Sequence, residues 1–284
     1  MTQIIALFRK AFSLLFALLF TAAGAVSSPT AVKTGDLVFV SEKAYPYGQG
    51  IAFNQGLARG ENYFYGTGCV KYLNYNALVK IDAATGEILE YNDTCLPAAV
   101  AAKGYSHLGD CAYRDGKIYA ACEAFFFRNP AVMVFDADSL RFTEYHVLPE
   151  EGRGNGHIPW VCADGDTLYY TQARDVDEIR MLNLSDFSYK GAVKLDTTIT
   201  KVTGGDLLNG ALYLSTNGGT REKITYRVDL STGRTEACFV RDMGNALTEA
   251  EGLAIEKTDD AVLFHYVDVV QGAKTAIRTY AFIG

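Results

Sequence analysis

From about residue 35 onward, apolar and polar positions alternate in short runs separated by tight polar turns, and no long stretch holds helical spacing. One phrase recurs. "DGKIYAAC" (115–122), "DGDTLYYTQ" (164–172) and "NGALYLSTN" (209–217) each join a turn to an apolar strand with an aromatic at a fixed place. Each is followed by an alternating strand that runs into Asp or Asn, a polar turn and a further strand: "AVMVFDADSLRFTEY", "EIRMLNLSDFSYKGA" and "ITYRVDLSTGRTEAC". "NALVKIDAATGEILEY" (76–91) is an earlier copy. Each unit therefore holds four short antiparallel strands. Units of that kind recurring at roughly 45–60 residues predict an all-β propeller. Inner strands opening near Gly50, Gly109, Pro159, Gly205 and Gly252 give five blades. The last unit supplies three strands, and "GDLVFVSEKA" (35–44) is the segment available to complete it, which would leave no open edge between first and last blades.

The first residues of the inner strands ring one mouth of a propeller's axis, so the repeat shows what each blade contributes there. Gln49 comes from the first, His107 and Asp110 from the second, and His157 with Trp160 from the third. Thr203 and Asp206 come from the fourth, Glu249 and Glu251 from the fifth. Taken singly, a Gly-Asp at a strand start is a turn or cap, and a lone His near a strand end is a hydrogen-bonded structural residue. Convergence of five strands on one axis favours a polar functional mouth, because unpaired acids brought together there repel unless a base or a cation joins them. Asp110, Asp206 and Glu251 with Gln49 suit Ca²⁺, whereas His107 and His157 with one carboxylate suit Zn²⁺ with an open position. On this reading Glu251 or His107 moves the proton. Asp110, Asp206 and His157 hold metal, and Gln49, Trp160, Thr203 and Glu249 contact substrate. The aromatic run "EAFFFRNP" (123–130) lines the mouth, a partner surface or the core.

Composition places the chain and trims the alternatives. Residues 1–25 read as a secretory signal: Arg9 and Lys10, then an apolar run, then small residues at Ala23 and Ala25. Residues 26–34 are a linker and 35–284 a single propeller domain, expected to be secreted or periplasmic, with no membrane attachment once the signal is cleaved. The formal charge is already −7, and loss of the signal makes it more negative, which argues against nucleic acid as a partner. The six cysteines contain no Cys-x-x-Cys pair, and export allows disulfides, Cys69 with Cys95 first among them. No Gly-x-Ser-x-Gly elbow, His-Glu-x-x-His helix or phosphate loop occurs, and no organic cofactor is indicated.

"GQGIAF" followed by "YGTGCVKYLNYNALVKIDAATGEIL" resembles the plant and bacterial type of glutaminyl cyclase, mainly over residues 49–92. The matching positions are Gln49 and Gly50, Thr67 and Gly68, and Asp82 with Thr85 and Gly86, and Glu251-Gly252-Leu253 is similar to a phrase of that family's later blades. The resemblance implies a secreted five-bladed propeller that cyclises N-terminal glutamine, with a mouth carboxylate, here Glu251, as acid and base. Two classes stay open: an enzyme of that kind or a metal-assisted ester or lactone hydrolase acting on a small molecule or peptide, and a non-catalytic propeller that binds a peptide, protein or glycan.

Overall fold

The computed structural model describes residues 31–32, 37–46, 53–70, 75–218, 221–244, 247–270 and 274–283. The expected signal segment and Gln49 lie outside them. The architecture is a five-bladed propeller of antiparallel sheets. Ala31–Val32 (β1) and Leu37–Pro46 (β2) precede the blades. Blade one is Gly56–Arg59 (β3), Tyr63–Val70 (β4), Tyr75–Asp82 (β5) and Ile88–Asn92 (β6). Blade two is Tyr105–Arg114 (β7), Lys117–Ala124 (β8), Arg128–Asp136 (β9) and Phe142–Val147 (β10). Blade three is Val161–Asp164 (β11), Thr167–Tyr170 (β12), Val176–Asn183 (β13) and Tyr189–Ile199 (β14). Blade four is Val202–Leu208 (β15), Ala211–Thr216 (β16), Glu222–Asp229 (β17) and Thr235–Asp242 (β18). Blade five is Thr248–Lys257 (β19), Val262–Val270 (β20) and Lys274–Phe282 (β21), completed on its outer edge by β2 as the pattern of the sequence requires. The short β1 adds a further edge to blade four by pairing with β18, which the sequence pattern does not announce.

The outer hairpins follow from their turn residues. Asp82 Oδ1 accepts the backbone N–H of Ala84 (3.0 Å) and Thr85 (2.8 Å), and Gly86 turns the chain at φ +68°. Asp136 with Ser139, and Asp229 with Ser231 and Thr232, close the same turn in blades two and four. The apolar faces of adjacent blades then meet. Tyr65 and Leu78 of blade one pack with Leu108, Ile118 and Phe135 of blade two, and the other junctions repeat the arrangement.

At the axis the inner strands approach too closely for side chains. A Cβ on Gly56 would lie 2.5 Å from the Asp110 Cα, and one on Gly252 would lie 2.6 Å from the Leu57 nitrogen. One on Gly204 would lie 2.8 Å from Asp110 Oδ2. Gly56, Gly204 and Gly252 thus pack the axis closely around Asp110. The glycines also correct the register of blade one. Its inner strand opens at Gly56, so Gln55 stands where Thr203 and Glu251 stand in blades four and five, each directly before a sealing glycine.

No disulfide forms among the described residues, and the expected Cys69–Cys95 bridge is not made. Burial pushes the Cys95, Cys111, Cys122 and Cys162 thiols up, so they are packed as small apolar groups.

Candidate metal centre at the axial mouth

The hairpin of β7 and β8 turns at Asp115-Gly116 and pairs His107 with Glu123 across the strands. His107 Nδ1 lies 2.8 Å from Glu123 Oε1, and His157 Nε2, from the loop entering β11, lies 3.2 Å from the same oxygen. Glu123 Oε2 accepts the Ile158 backbone N–H at 3.2 Å, which fixes the carboxylate plane. The Glu123 carboxylate is fully buried, whereas the His107 and His157 side chains keep 15 % and 25 % exposure, so the group opens to solvent on the imidazole side. One ligand atom from each of the three residues lies within 4.8 Å of the others.

The charge state of this group is constrained by Gln55. The Gln55 amide nitrogen donates to the Asn54 carbonyl at 2.9 Å, so its oxygen faces His107 Nε2 at 3.2 Å. Both ring nitrogens of His107 therefore look onto acceptor oxygens. A neutral imidazole carries one N–H, so the two contacts are met together by an imidazolium, by a protonated Glu123 carboxyl or by a bound cation. Two imidazoles and one carboxylate with an open side are the donor set of catalytic zinc sites, and Gln55 and the Ile158 N–H supply the outer hydrogen bonds that such ligands need. The group could hold a metal ion.

The remaining predicted site residues are placed differently. Asp110 is fully buried, and its carboxylate accepts N–H bonds from Leu57 (2.7 Å), Cys111 (2.9 Å) and Leu253 (3.4 Å), joining three blades. Asp206 accepts from Leu207 (2.8 Å) and Ile255 (2.6 Å), with the Cys162 thiol at 3.4 Å. Both acids are expected metal ligands, yet among the described residues neither joins a group of ligand atoms, because their oxygens are taken by backbone amides. Burial raises both, Asp110 far above the ordinary carboxylate range and Asp206 to about 6. Trp160, expected at the substrate, is fully buried against Gly205 with its indole N–H donating to Thr171 at 2.9 Å, and so belongs to the core. Thr203 donates to the Ala250 carbonyl at 2.7 Å and ties blades four and five.

Glu251 directly precedes the sealing Gly252, which packs on Gly56, the neighbour of Gln55, and Gln55 in turn contacts His107 of the His107–Glu123–His157 group. Burial, then the nearby charges of Glu249 and Asp110, raise the Glu251 carboxyl well above its ordinary value, and Lys223 opposes that shift. The Lys223 ammonium is held by Asn217 at 2.8 Å and is itself lowered by burial.

Phe127, in the turn Phe125–Phe127, flanks this group. The Phe127 ring stacks on His157 at 4.1 Å between centroids and lies 6.2 Å from His107. Phe126, Phe127 and Asn129 have φ of 60°, 57° and 48°, which costs a bulky residue roughly 1–2 kcal/mol each. Gly156 of blade three packs directly on the Phe127 carbonyl and holds the turn down.

Sequence reasoning missed Glu123 and Gln55. Glu123 was within reach: counting outward from the Asp115-Gly116 turn sets His107 opposite 123 or 124, the difference being a bulge between Leu108 and Cys111. Gln55-Gly56-Leu57 stands in the sequence six positions after Gln49-Gly50.

Comparison with known proteins adds one result. No family model matches the chain, and a search of curated proteins finds none by sequence. Among solved structures, glutaminyl cyclase of Myxococcus xanthus aligns with a TM-score of 0.60 at 13 % identity, over 86 % of this chain and 97 % of that one. The allergen Mala s 1 of Malassezia sympodialis aligns at 0.51 and 9 %, over 78 % and 90 %. A luciferin-regenerating enzyme aligns at 0.49 and 10 %, over 79 % and 75 %. The likeness is one of fold. It agrees with the architecture implied by the sequence resemblance, and the chemistry has to be argued from the mouth.

Proposed function

We propose that the protein is a metal-assisted hydrolase of carboxylic esters or lactones, acting on a small molecule at the axial mouth. The observation that carries this is the His107–Glu123–His157 group, whose ligand atoms lie within 4.8 Å of one another and whose imidazoles are partly exposed to solvent. A zinc-class cation there would supply a water acidic enough to attack at neutral pH. His107, His157 and Glu123 hold it, and Gln55 keeps the His107 ring in place through Nε2. Glu251, whose carboxyl burial and Glu249 raise, would carry the proton to the alcohol oxygen as the acyl C–O bond breaks and recover one from the attacking water. Ester and water give acid and alcohol, with no further reactant.

A second reading has its own support. A protonated carboxyl at the mouth of a propeller with the glutaminyl cyclase fold suits cyclisation of an N-terminal glutamine with release of ammonia, which needs an acid and a base but no metal. The signal-like pattern of residues 1–25 supports export of the protein, and on that reading N-terminal sequencing of the mature chain should begin near residue 26.

The test is metal content of the purified chain together with turnover. Zinc should bind at one per chain and be lost in His107→Ala and His157→Ala, with hydrolysis of aryl esters or lactones falling on the order of a thousandfold. Glu251→Gln should keep the metal and lose at least a hundredfold in rate. Turnover of glutaminyl peptides by metal-free protein would replace the first reading by the second. Absence of metal and of both activities, with a glycan or peptide bound instead, would sink both enzymatic readings.

A further inference from the structure

We propose that Phe126 and Phe127 form the apolar wall that receives the non-reacting part of the ligand, so that the His107–Glu123–His157 group takes esters or lactones with an apolar acyl chain. The inference rests on the hydrolase reading and deepens it by naming the substrate class. Strand β8 returns to the mouth, and the turn that follows Glu123 by one residue sets three successive phenylalanines there, exposed by 51 %, 84 % and 38 %. Leu247, exposed by 65 %, leads into β19 at the same mouth.

An outward-facing run of three aromatic rings needs a cause. The backbone supplies one: two consecutive phenylalanines and Asn129 sit in the left-handed region, and Gly156 clamps the Phe127 carbonyl. The rings are held out by a strained, packed turn, and strain of this sort gathers at binding sites. The wall is also continuous with the donor set, because Phe127 lies flat on His157. Whatever rests on Phe127 is then within a ring's width of the imidazoles, and Phe126 is its neighbour in the same turn.

Size argues for a small occupant. Three partly exposed phenylalanine rings offer on the order of 300 Å², well below the roughly 800 Å² per partner of a stable protein interface. That area suits an acyl chain of several carbons. The wall carries no charge of its own, while the imidazole side attracts a carboxyl or carbonyl oxygen. A short apolar chain ending in a carboxyl group matches both.

Product-like carboxylates test this without turnover. Acetate, butyrate, hexanoate and octanoate are titrated by calorimetry into the full chain supplied with zinc, and into the same protein treated with chelator. Affinity should rise about two- to fourfold per added methylene. In Phe126→Ala the advantage of hexanoate over acetate should fall at least tenfold with bound zinc unchanged, and Phe126→Leu should restore most of it. Affinity independent of chain length in zinc-loaded protein overturns the wall and leaves the metal site standing. A chain-length dependence carried by Phe126 in protein that binds no zinc keeps the wall and removes the metal. An unaltered dependence in Phe126→Ala overturns the proposal and returns the turn to a partner surface.

Discussion

Asp110 and Asp206 show how the same residue type reads differently once its partners are known. Each is an acid at the head of an inner strand, and each is held by amides of neighbouring inner strands. Replacing Asp110 by Ala leaves the buried Leu57 and Leu253 N–H groups without an acceptor, which should cost about 2–5 kcal/mol in denaturant unfolding. Asp206 carries a pH signature. Its folded pKa of about 6 lies above the ordinary 3.8, so the native state binds this proton more tightly than the unfolded chain. That contribution to stability is fully present below about pH 4 and is lost as pH rises through about 6, with a slope of at most about 1.4 kcal/mol per pH unit. Asp206→Asn should flatten the stability profile over that window, measured as midpoint against pH. An identical profile in the variant would assign the titration elsewhere.

At the scale of strands, legibility tracked how local the determining interaction is. Asp-x-x-Thr-Gly turns and alternating strands act over a few residues, so blades and hairpins are readable from the sequence, including the contribution of residues 35–44 to the last blade. The mouth is only partly readable. His107 and His157 are readable because inner strands begin near them, while Glu123 depends on hairpin register and Gln55 on the close approach of Gly56 to Asp110. Trp160 is misplaced by the sequence reading because the same strand end faces the mouth at one residue and the core at the next. The sealing glycines give a sharp check on this geometry. Gly252→Ala would set its methyl against Leu57 and Gly56 backbone, which cannot swing away as a side chain would. A loss of about 2–4 kcal/mol is expected, within the range for overpacking and backbone strain. The control is Gly116→Ala in the exposed Asp115-Gly116 turn. No atom lies within 4 Å of its added methyl, and only the φ of +76° is strained, so its cost should be near 1 kcal/mol.

A propeller holds together as a ring, and its stability is decided where the ring is closed. Here β2 closes it by pairing with β21 from Leu37↔Phe282 to Pro46↔Lys274. The pairing is reinforced by charge. Glu42 binds Lys274 and accepts from Arg278 Nε at 2.8 Å, and Arg278 Nη1 reaches Asp268 at 3.0 Å. Asp268 is shared with Arg241 of blade four at 2.8 Å, and the Arg241 guanidinium lies 3.6 Å over the Tyr266 ring. Arg241, Arg278 and Asp268 are essentially fully buried. Two guanidiniums therefore depend on two carboxylates, one of which arrives from a strand more than two hundred residues away in sequence. Glu42→Ala should leave Arg278 with only a half-share of Asp268 in a dry interface. Removing one partner of a buried ion pair costs about 3–5 kcal/mol, and the loss should appear as accelerated unfolding, since closure by β2 spans the longest loop in the fold and is expected late in folding. Glu42→Gln keeps the hydrogen bond to Arg278 without the charge and should recover less than half of the loss. Equal stability of Glu42→Ala and the parent chain would show that backbone pairing alone fastens the ring.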